Sequence, residues 1–254
     1  MHQFHPTLKV RVQGVKMKIK SQFHYEATMA ILLSFVGGIF DIYGLYNLNI
    51  YAMLHTGNVI KLSTFLIDGN MEMFIATLTI VATFALGILV ANLYEYKRKV
   101  GNKKELLMIT ILLLVVTALI PNDQDPGVLS PIKILAGAMF GLEGAFLVHS
   151  FVRFGEYTYS ATTMTANINR LMTNIFDRIV TKEKKHNKVI AIYLSIFLFF
   201  SLGVTFGYIY MKFLPDFNNA FMDLYGYNLL LLLPLACLIH LLLLKEPDNK
   251  ETLE

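Results

Sequence analysis

The sequence has little charge and almost no cysteine. Only 16% of its 254 residues are Asp, Glu, Lys or Arg, whereas soluble domains carry about 25%. Cys237 is the single cysteine, which excludes an intramolecular disulfide framework and a cysteine-based metal site. The chain also has no P-loop, dinucleotide-binding fingerprint or nucleophile elbow, so the soluble enzyme classes that depend on them are excluded.

Long apolar stretches are present instead, for example 192–210 and 229–244, and 55% of the residues are hydrophobic. A transmembrane helix needs about 20 mainly apolar residues. On this basis we predict an all-α integral membrane protein. Its six spans are expected at 26–45, 71–94, 106–120, 132–152, 188–210 and 227–244.

Two further segments, 51–68 and 157–177, are too polar to be ordinary spans. Each contains a Thr-x-Asn element, Thr56-Gly57-Asn58 in the first and Thr165-Ala166-Asn167 in the second. We interpret these segments as re-entrant or broken helices. Such irregular backbone is tolerated at membrane depth only where protein or a water-filled cavity surrounds it.

An internal repeat relates the two halves of the chain. Segment 35–44 resembles 135–144, segment 55–58 resembles 164–167, and segment 84–87 resembles 200–203, always in the same order. We therefore predict a basic segment 1–25, a first repeat 26–120, a second repeat 121–244 and a short tail 245–254. The alternative is chance similarity between glycine-rich membrane helices. Met17 also reads as an alternative start, and no cleavable signal peptide is predicted.

The positions of the basic residues discriminate between two topologies. With eight spans, the Lys and Arg side chains divide thirteen against seven. With six spans and two re-entrant segments they divide nineteen against two, namely Lys133 and Lys212, with Lys61 inside a re-entrant segment. Cytoplasmic loops are enriched in Lys and Arg, so we expect six spans and cytoplasmic termini. Three spans per half make the repeat inverted, as in many secondary transporters.

Polar residues of the predicted spans and half-helices are the candidate binding residues. The N-terminal end of each half-helix carries a partial positive charge, which favours anions or polarised oxygens. Ionisable groups inside spans are costly and mark functional sites, and a protonatable Glu can couple proton entry to solute movement. The predicted substrate-binding residues are Asp41, His55, Thr56, Asn58, Glu143, Thr165 and Asn167. Each also has a structural alternative: interhelical hydrogen bonds for Thr and Asn, headgroup exposure for Asp41, and a structural carboxyl for Glu143.

Other conspicuous residues receive structural interpretations. His55, Glu143 and His149 lack an HExxH-like spacing, so no metal or other cofactor is predicted. Lys61 is expected to pair with Asp41 or Glu143, or to extend to the interface. The glycines at 87, 137, 141, 203 and 207 are expected to let helices pack closely.

The motifs resemble a known family. Ser34-Phe-Val-Gly-Gly-Ile-Phe-Asp-Ile-Tyr-Gly44, His55-Thr-Gly-Asn58, Phe151-Val-Arg153 and Met164-Thr-x-Asn167 are similar to the YoaK-like family of bacterial multi-pass membrane proteins. The resemblance covers nearly all of 26–244 and implies a protein of the bacterial plasma membrane. The function of the family is uncharacterised, so the resemblance implies no substrate. Ala166 replaces glycine in the second Thr-x-Asn element, a departure from the first.

The sequence therefore favours a transporter of a small polar or anionic solute, with Glu143 and Asp41 as the candidate residues for proton coupling. The alternative is a non-transporting membrane protein that binds a lipid or a protein partner. An enzyme is not predicted. The expected partners are the lipid bilayer and an unidentified small solute, and no nucleic acid.

Overall fold

The chain is almost entirely helical in the residues that the computed structural model describes, which are 6–98, 103–121, 130–150, 153–161, 163–213 and 224–245. The helices are α1 (Pro6–Leu48), α2 (His55–Ile67), α3 (Met71–Arg98), α4 (Lys103–Ala118), α5 (Pro131–Ser150), α6 (Met164–Thr181), α7 (Lys185–Phe213) and α8 (Leu232–Leu243). A two-stranded antiparallel hairpin, β1 (Arg153–Phe154) and β2 (Tyr157–Thr158), precedes α6. A 3-10 helix, Tyr227–Leu231, leads into α8. The predicted all-α class is confirmed at this level.

Within the described residues, each predicted span coincides with helical structure, although the boundaries differ. The helix α1 begins at Pro6 rather than near residue 26, because proline suits a first helical position and the basic residues that follow do not break a helix. Three helical stretches, Gln22–Leu48, Met71–Lys97 and Lys185–Phe213, are long and apolar enough to cross a membrane. Ile134–His149 and Tyr227–Leu243 are shorter apolar helices. These lengths are consistent with a membrane protein.

The two polar segments form a loop followed by a helix. In the first, α2 packs against α3, and the His55 ring lies 3.8 Å from the Phe84 ring, near the middle of α3. In the second, α6 packs against α7. Asn174 Oδ1 lies 3.1 Å from His186 Nδ1, and Arg178 Nε donates to Asn187 Oδ1 at 2.7 Å. Both helices therefore begin beside the interior of a long helix and end near its first turn.

The hairpin before α6 is fastened to α1. Gly155 has a φ of +57°, in the left-handed region that favours glycine, and its N–H donates to Glu26 Oε2 at 2.6 Å. The neighbouring Phe154 is fully buried and contacts the rings of Phe23 and Tyr193 edge to face. This hairpin falls at the end of a predicted span and was not expected from the sequence.

Close helix crossings hold the long helices together. The helix α1 packs against α7, and α3 packs against α5. A Cβ added to Gly38 would lie 2.3 Å from Phe200 O, and one added to Gly203 would lie 2.3 Å from Phe35 O. Glycine therefore lets the backbones of α1 and α7 approach to a distance that any side chain would prevent.

The buried positions of α3 and α7 follow one pattern. Ala76, Ile80, Gly87 and Ala91 are buried along α3, at the spacing of one helix face. Along α7 the buried positions include Ile196, Gly203 and Gly207, each 116 residues after Ile80, Gly87 and Ala91. In the core, the helices α1 and α5 cross where the Phe40 and Phe140 rings pack edge to face at 5.5 Å. These two phenylalanines occupy equivalent positions of the predicted sequence repeat.

We expect Gly203→Ala to lower the free energy of unfolding by about 1–3 kcal/mol, because the added methyl group meets the α1 backbone and forces the helices apart. Gly137→Ala is the matched control, since a Cβ there meets no atom within 4 Å. The control should be neutral or gain up to about 1 kcal/mol from helix propensity. Unfolding in mixed micelles measures both variants. Equal effects at the two sites would refute the assigned crossing.

Candidate functional site

The loop between α1 and α2 is the centre of the candidate site. It starts at Asn49, whose φ of 53° reverses the chain, and it packs directly on the α1 backbone. A Cβ on Gly44 would lie 2.7 Å from Ile50 O. The carboxylate of Asp41 is buried and its Oδ1 accepts hydrogen bonds from Met53 N at 2.8 Å and Leu54 N at 3.0 Å. Asp41 therefore fixes the loop just before α2 begins.

Asn58 closes the same loop with a reciprocal pair of bonds. Its Oδ1 accepts from Tyr51 N at 2.9 Å, and its Nδ2 donates to Tyr51 O at 2.7 Å. Asn167 repeats this arrangement in the second half, with Ser160 N at 3.0 Å and Ser160 O at 2.6 Å. Both asparagines are buried, and each bonds the residue seven positions earlier. The Thr-x-Asn elements therefore share one geometry.

His55 is a polar group with unused bonding capacity. Its ring contacts the Phe84 ring at a tilt of 34°, and neither ring nitrogen has a hydrogen-bond partner within the described part of the chain. Both nitrogens are nevertheless shielded from solvent. Buried polar atoms are normally hydrogen-bonded, so an unpartnered imidazole beside a loop is a candidate contact for a ligand.

Glu143 lies on α5 close to the same loop. It is fully buried, and its Oε1 is 2.6 Å from Thr117 Oγ1 on α4. A Cβ on the next residue, Gly144, would lie 3.5 Å from Met53 Cγ and 3.6 Å from Ala52 O, which places this part of α5 against the loop. Among the described residues, Glu143 Oε2 has no hydrogen-bond partner, and neither does Asp41 Oδ2.

The predicted site residues fall into two groups. Asp41, His55, Asn58 and Glu143 surround the loop before α2, whereas Thr165 and Asn167 belong to the start of α6. Thr56 and Thr165 are exposed. The amides of Asn58 and Asn167 bond within their own halves of the chain rather than to each other. Whether any of these residues binds a solute stays a prediction.

Sequence reasoning missed a buried polar network beside Glu143. Tyr43 donates a hydrogen bond to Asn228 Oδ1 and accepts one from Asn47 Nδ2 at 3.0 Å. Asn228 Nδ2 donates to Ala118 O at 3.1 Å and to Ile120 O at 2.5 Å, at the end of α4. The only sequence signal was a lone asparagine in an apolar stretch.

The remaining titratable candidates have other partners. His149 Nε2 lies 3.0 Å from Glu95 Oε2, and Lys61 Nζ donates to Asn49 O at 2.6 Å and to Asn49 Oδ1 at 3.1 Å. Lys61 also sits over the Tyr51 ring. In the described ranges, no three His, Cys, Asp or Glu residues are grouped so that they could hold a metal ion.

The helices and their buried polar interior define the class as a helical protein suited to a membrane. The model of the family described as "Protein of unknown function (DUF1275)" matches residues 29–233, and the chain belongs to this family. No curated protein and no solved structure shows a match to the chain. The YoaK-like name and a bacterial origin stay predictions.

We expect Asn58→Asp to lower the free energy of unfolding by about 1–3 kcal/mol, because the exchange removes the donor to Tyr51 O in a buried place. Asn70→Asp makes the same chemical change at an exposed residue of the turn before α3, where Oδ1 accepts from Met73 N at 3.2 Å. Asp keeps that acceptor, so the control should change stability by less than about 0.5 kcal/mol. Unfolding curves in mixed micelles measure the difference. A cost at Asn58 no larger than at Asn70 would contradict the structural role.

Proposed function

We propose that the protein is a multi-pass membrane transporter of a small polar solute, with its binding site at the start of α2. The observation that carries the proposal is the set of buried, unpartnered polar atoms on Asp41, His55 and Glu143 around one loop. Buried polar atoms without partners are costly in a folded chain. A bound solute or water can supply the missing bonds.

The location of the loop supports this proposal. The contact between the His55 and Phe84 rings puts the start of α2 halfway along α3, a helix long enough to cross a membrane. Secondary transporters place their sites near the bilayer midplane, where interrupted helices begin. If α3 spans the bilayer, the start of α2 lies near the midplane.

Paired helix contacts favour two inverted repeats. The packing of α1 on α7 has its counterpart in α5 on α3, and that of α2 on α3 has its counterpart in α6 on α7. Phe40 and Phe140, which are equivalent in the repeat, contact each other where α1 and α5 cross. A contact between equivalent residues is expected on or near a pseudo-two-fold axis.

Charge favours cytoplasmic termini in this arrangement. Lys97 lies at one end of α3, and Lys182, Lys184 and Lys185 lie between and at the ends of α6 and α7. The only charged residue of the turn between α2 and α3, residues 68–70, is the acidic Asp68. Cytoplasmic ends are enriched in Lys and Arg, so the α6–α7 turn is assigned to the cytoplasm and the α2–α3 turn to the outside.

The chemistry of the site favours a solute rich in hydrogen-bond donors over an anion. Asp41 Oδ2 and Glu143 Oε2 are carboxyl oxygens that can accept hydrogen bonds. Lys61 is the described Lys or Arg nearest in sequence to the loop, and its ammonium group donates to Asn49 O. A neutral polar or cationic solute therefore fits the site better than an anionic one. Exchange of a proton at Glu143 or Asp41 would couple solute movement to protons.

A second candidate function has one specific observation in its favour. The amides of Asn58 and Asn167 are committed to backbone bonds at Tyr51 and Ser160, as in a purely structural element. In that case the protein would be a non-transporting membrane protein that binds a lipid or a protein partner. Transport measurements separate the two candidates.

We expect vesicles containing the full chain to take up at least one of three radiolabelled probes: glycerol, methylammonium or acetate. Uptake should saturate and exceed that of protein-free vesicles. Asp41→Asn should reduce uptake by at least about tenfold. The amide has no negative charge to offset a cationic solute, and its NH2 group donates where the carboxylate accepts. Asp68→Asn, at an exposed turn residue, is the matched control and should retain wild-type uptake.

Two outcomes contradict the proposal. If uptake of all three probes equals that of protein-free vesicles, the non-transporting alternative is favoured. If Asp41→Asn folds normally and transports like wild type, the binding site is assigned to the wrong residues.

A further inference from the structure

Two ties from different helices hold the end of α4. On one side, Glu143 contacts the Thr117 hydroxyl, and on the other, the Asn228 amide donates to Ala118 O and Ile120 O. Thr117 and Asn228 are both almost completely buried. The end of α4 is therefore a place where a change at one side chain can release a helix.

The protonation state of Glu143 decides which hydrogen bonds the Thr117 hydroxyl can make. The Thr117 oxygen lies 2.6 Å from Glu143 Oε1 and 3.0 Å from Leu113 O, yet a hydroxyl has one hydrogen to donate. If Glu143 carries a proton, it donates to Thr117, and Thr117 donates to Leu113 O. If Glu143 is ionised, the Thr117 hydroxyl donates to the carboxylate, and its bond to Leu113 O is lost. Both contacts can be hydrogen bonds only with a neutral Glu143.

In the described ranges, no Lys, Arg or His side chain is bonded to Glu143. The His55 imidazole, at the start of α2 beside the same loop, contacts the Phe84 ring and has no hydrogen-bond partner there. On α1, the Tyr43 hydroxyl donates a hydrogen bond to Asn228, and Asp41 accepts hydrogen bonds from the loop amides of Met53 and Leu54. On α4 the facing group is Thr117. On α3, Thr83 lies beside Gly141, and Glu95 is paired with His149, which is six residues or about 9 Å further along α5. An ionised Glu143 would thus be a buried charge without a bonded cation, which is strongly unfavourable.

We propose that Glu143 and Thr117 form a proton-dependent latch on α4. The neutral carboxyl holds the end of α4 against α5. Loss of the proton turns the Thr117 hydroxyl from Leu113 O to the carboxylate and leaves a buried charge that this single hydrogen bond does not offset. The helix α4 then moves away, and the carboxylate reaches water or a cationic solute. The inference deepens the proposed transport function and rests on it for its use in the cell, but the latch itself is measurable without transport.

Hydrogen exchange of α4 tests the latch in the full chain, held in phosphatidylcholine nanodiscs. After correction for intrinsic rates, exchange of amides 113–118 in wild type should be at least about fivefold faster at about pH 9 than at about pH 6, because the latch opens. Glu143→Gln keeps a donor for Thr117 at both pH values, so its exchange should stay slow and independent of pH.

Threonine variants separate the latch from a general packing effect. Thr117→Val should exchange fast at both pH values, and Thr117→Ser should restore the wild-type response. Thr110→Val is the matched control: Thr110 is buried on α4 and donates to Leu106 O at 2.9 Å, so the variant loses a similar hydroxyl without touching Glu143. It should behave like wild type.

The latch is overturned if wild type shows no pH response, if Glu143→Gln keeps the wild-type response, or if Thr110→Val loses it as Thr117→Val does. The expected exchange pattern without uptake of any probe would support the latch and reject transport. Uptake that depends on Glu143, without the exchange pattern, would support transport and reject the latch.

Discussion

The structure depends on hydrogen-bonding two irregular backbone segments inside the protein. A buried loop exposes N–H and C=O groups that must find partners, and at membrane depth water is scarce. Asn58 and Asn167 each supply a donor and an acceptor to one loop residue, and Asp41 accepts two further N–H groups. These side chains allow α2 and α6 to begin beside the interior of longer helices. Without these side chains, buried backbone N–H and C=O groups of both polar segments would lack hydrogen-bond partners.

The central helix α1 connects this constraint to the candidate site. Its glycine face meets α7, Asp41 reaches the loop before α2, and Tyr43 joins the network that holds α4. Most of its apolar stretch is buried, whereas most of the apolar stretches of α3 and α7 are exposed. Groups from α1, α4 and α5 therefore meet in one region. In the function that we propose, these contacts link a proton on Glu143, a solute at the loop and the position of α4.

The features that the sequence predicted are those marked by a long apolar stretch or by a motif that occurs twice. Hydrophobic stretches located the helices, and the two Thr-x-Asn elements located the segments that prove irregular. Equivalent asparagines could be recognised because Asn58 and Asn167 lie in similar local sequences. The network of Tyr43 and Asn228 could not, because these residues are 185 positions apart and no local pattern joins them. The Thr117–Glu143 contact likewise depends on how α4 and α5 pack. The hairpin at Gly155 was missed because only two residues form each strand.

The proposed transporter requires α2 and α6 to enter the membrane from opposite faces. Single cysteines at Asp68 and Lys184, in a chain carrying Cys237→Ser, report the sides of the turns that follow these helices. A membrane-impermeant thiol reagent applied to vesicles of known orientation should label the two positions from opposite faces, with Lys184 on the cytoplasmic side. Labelling of both positions from the same face would contradict the inverted arrangement and the transport site built on it.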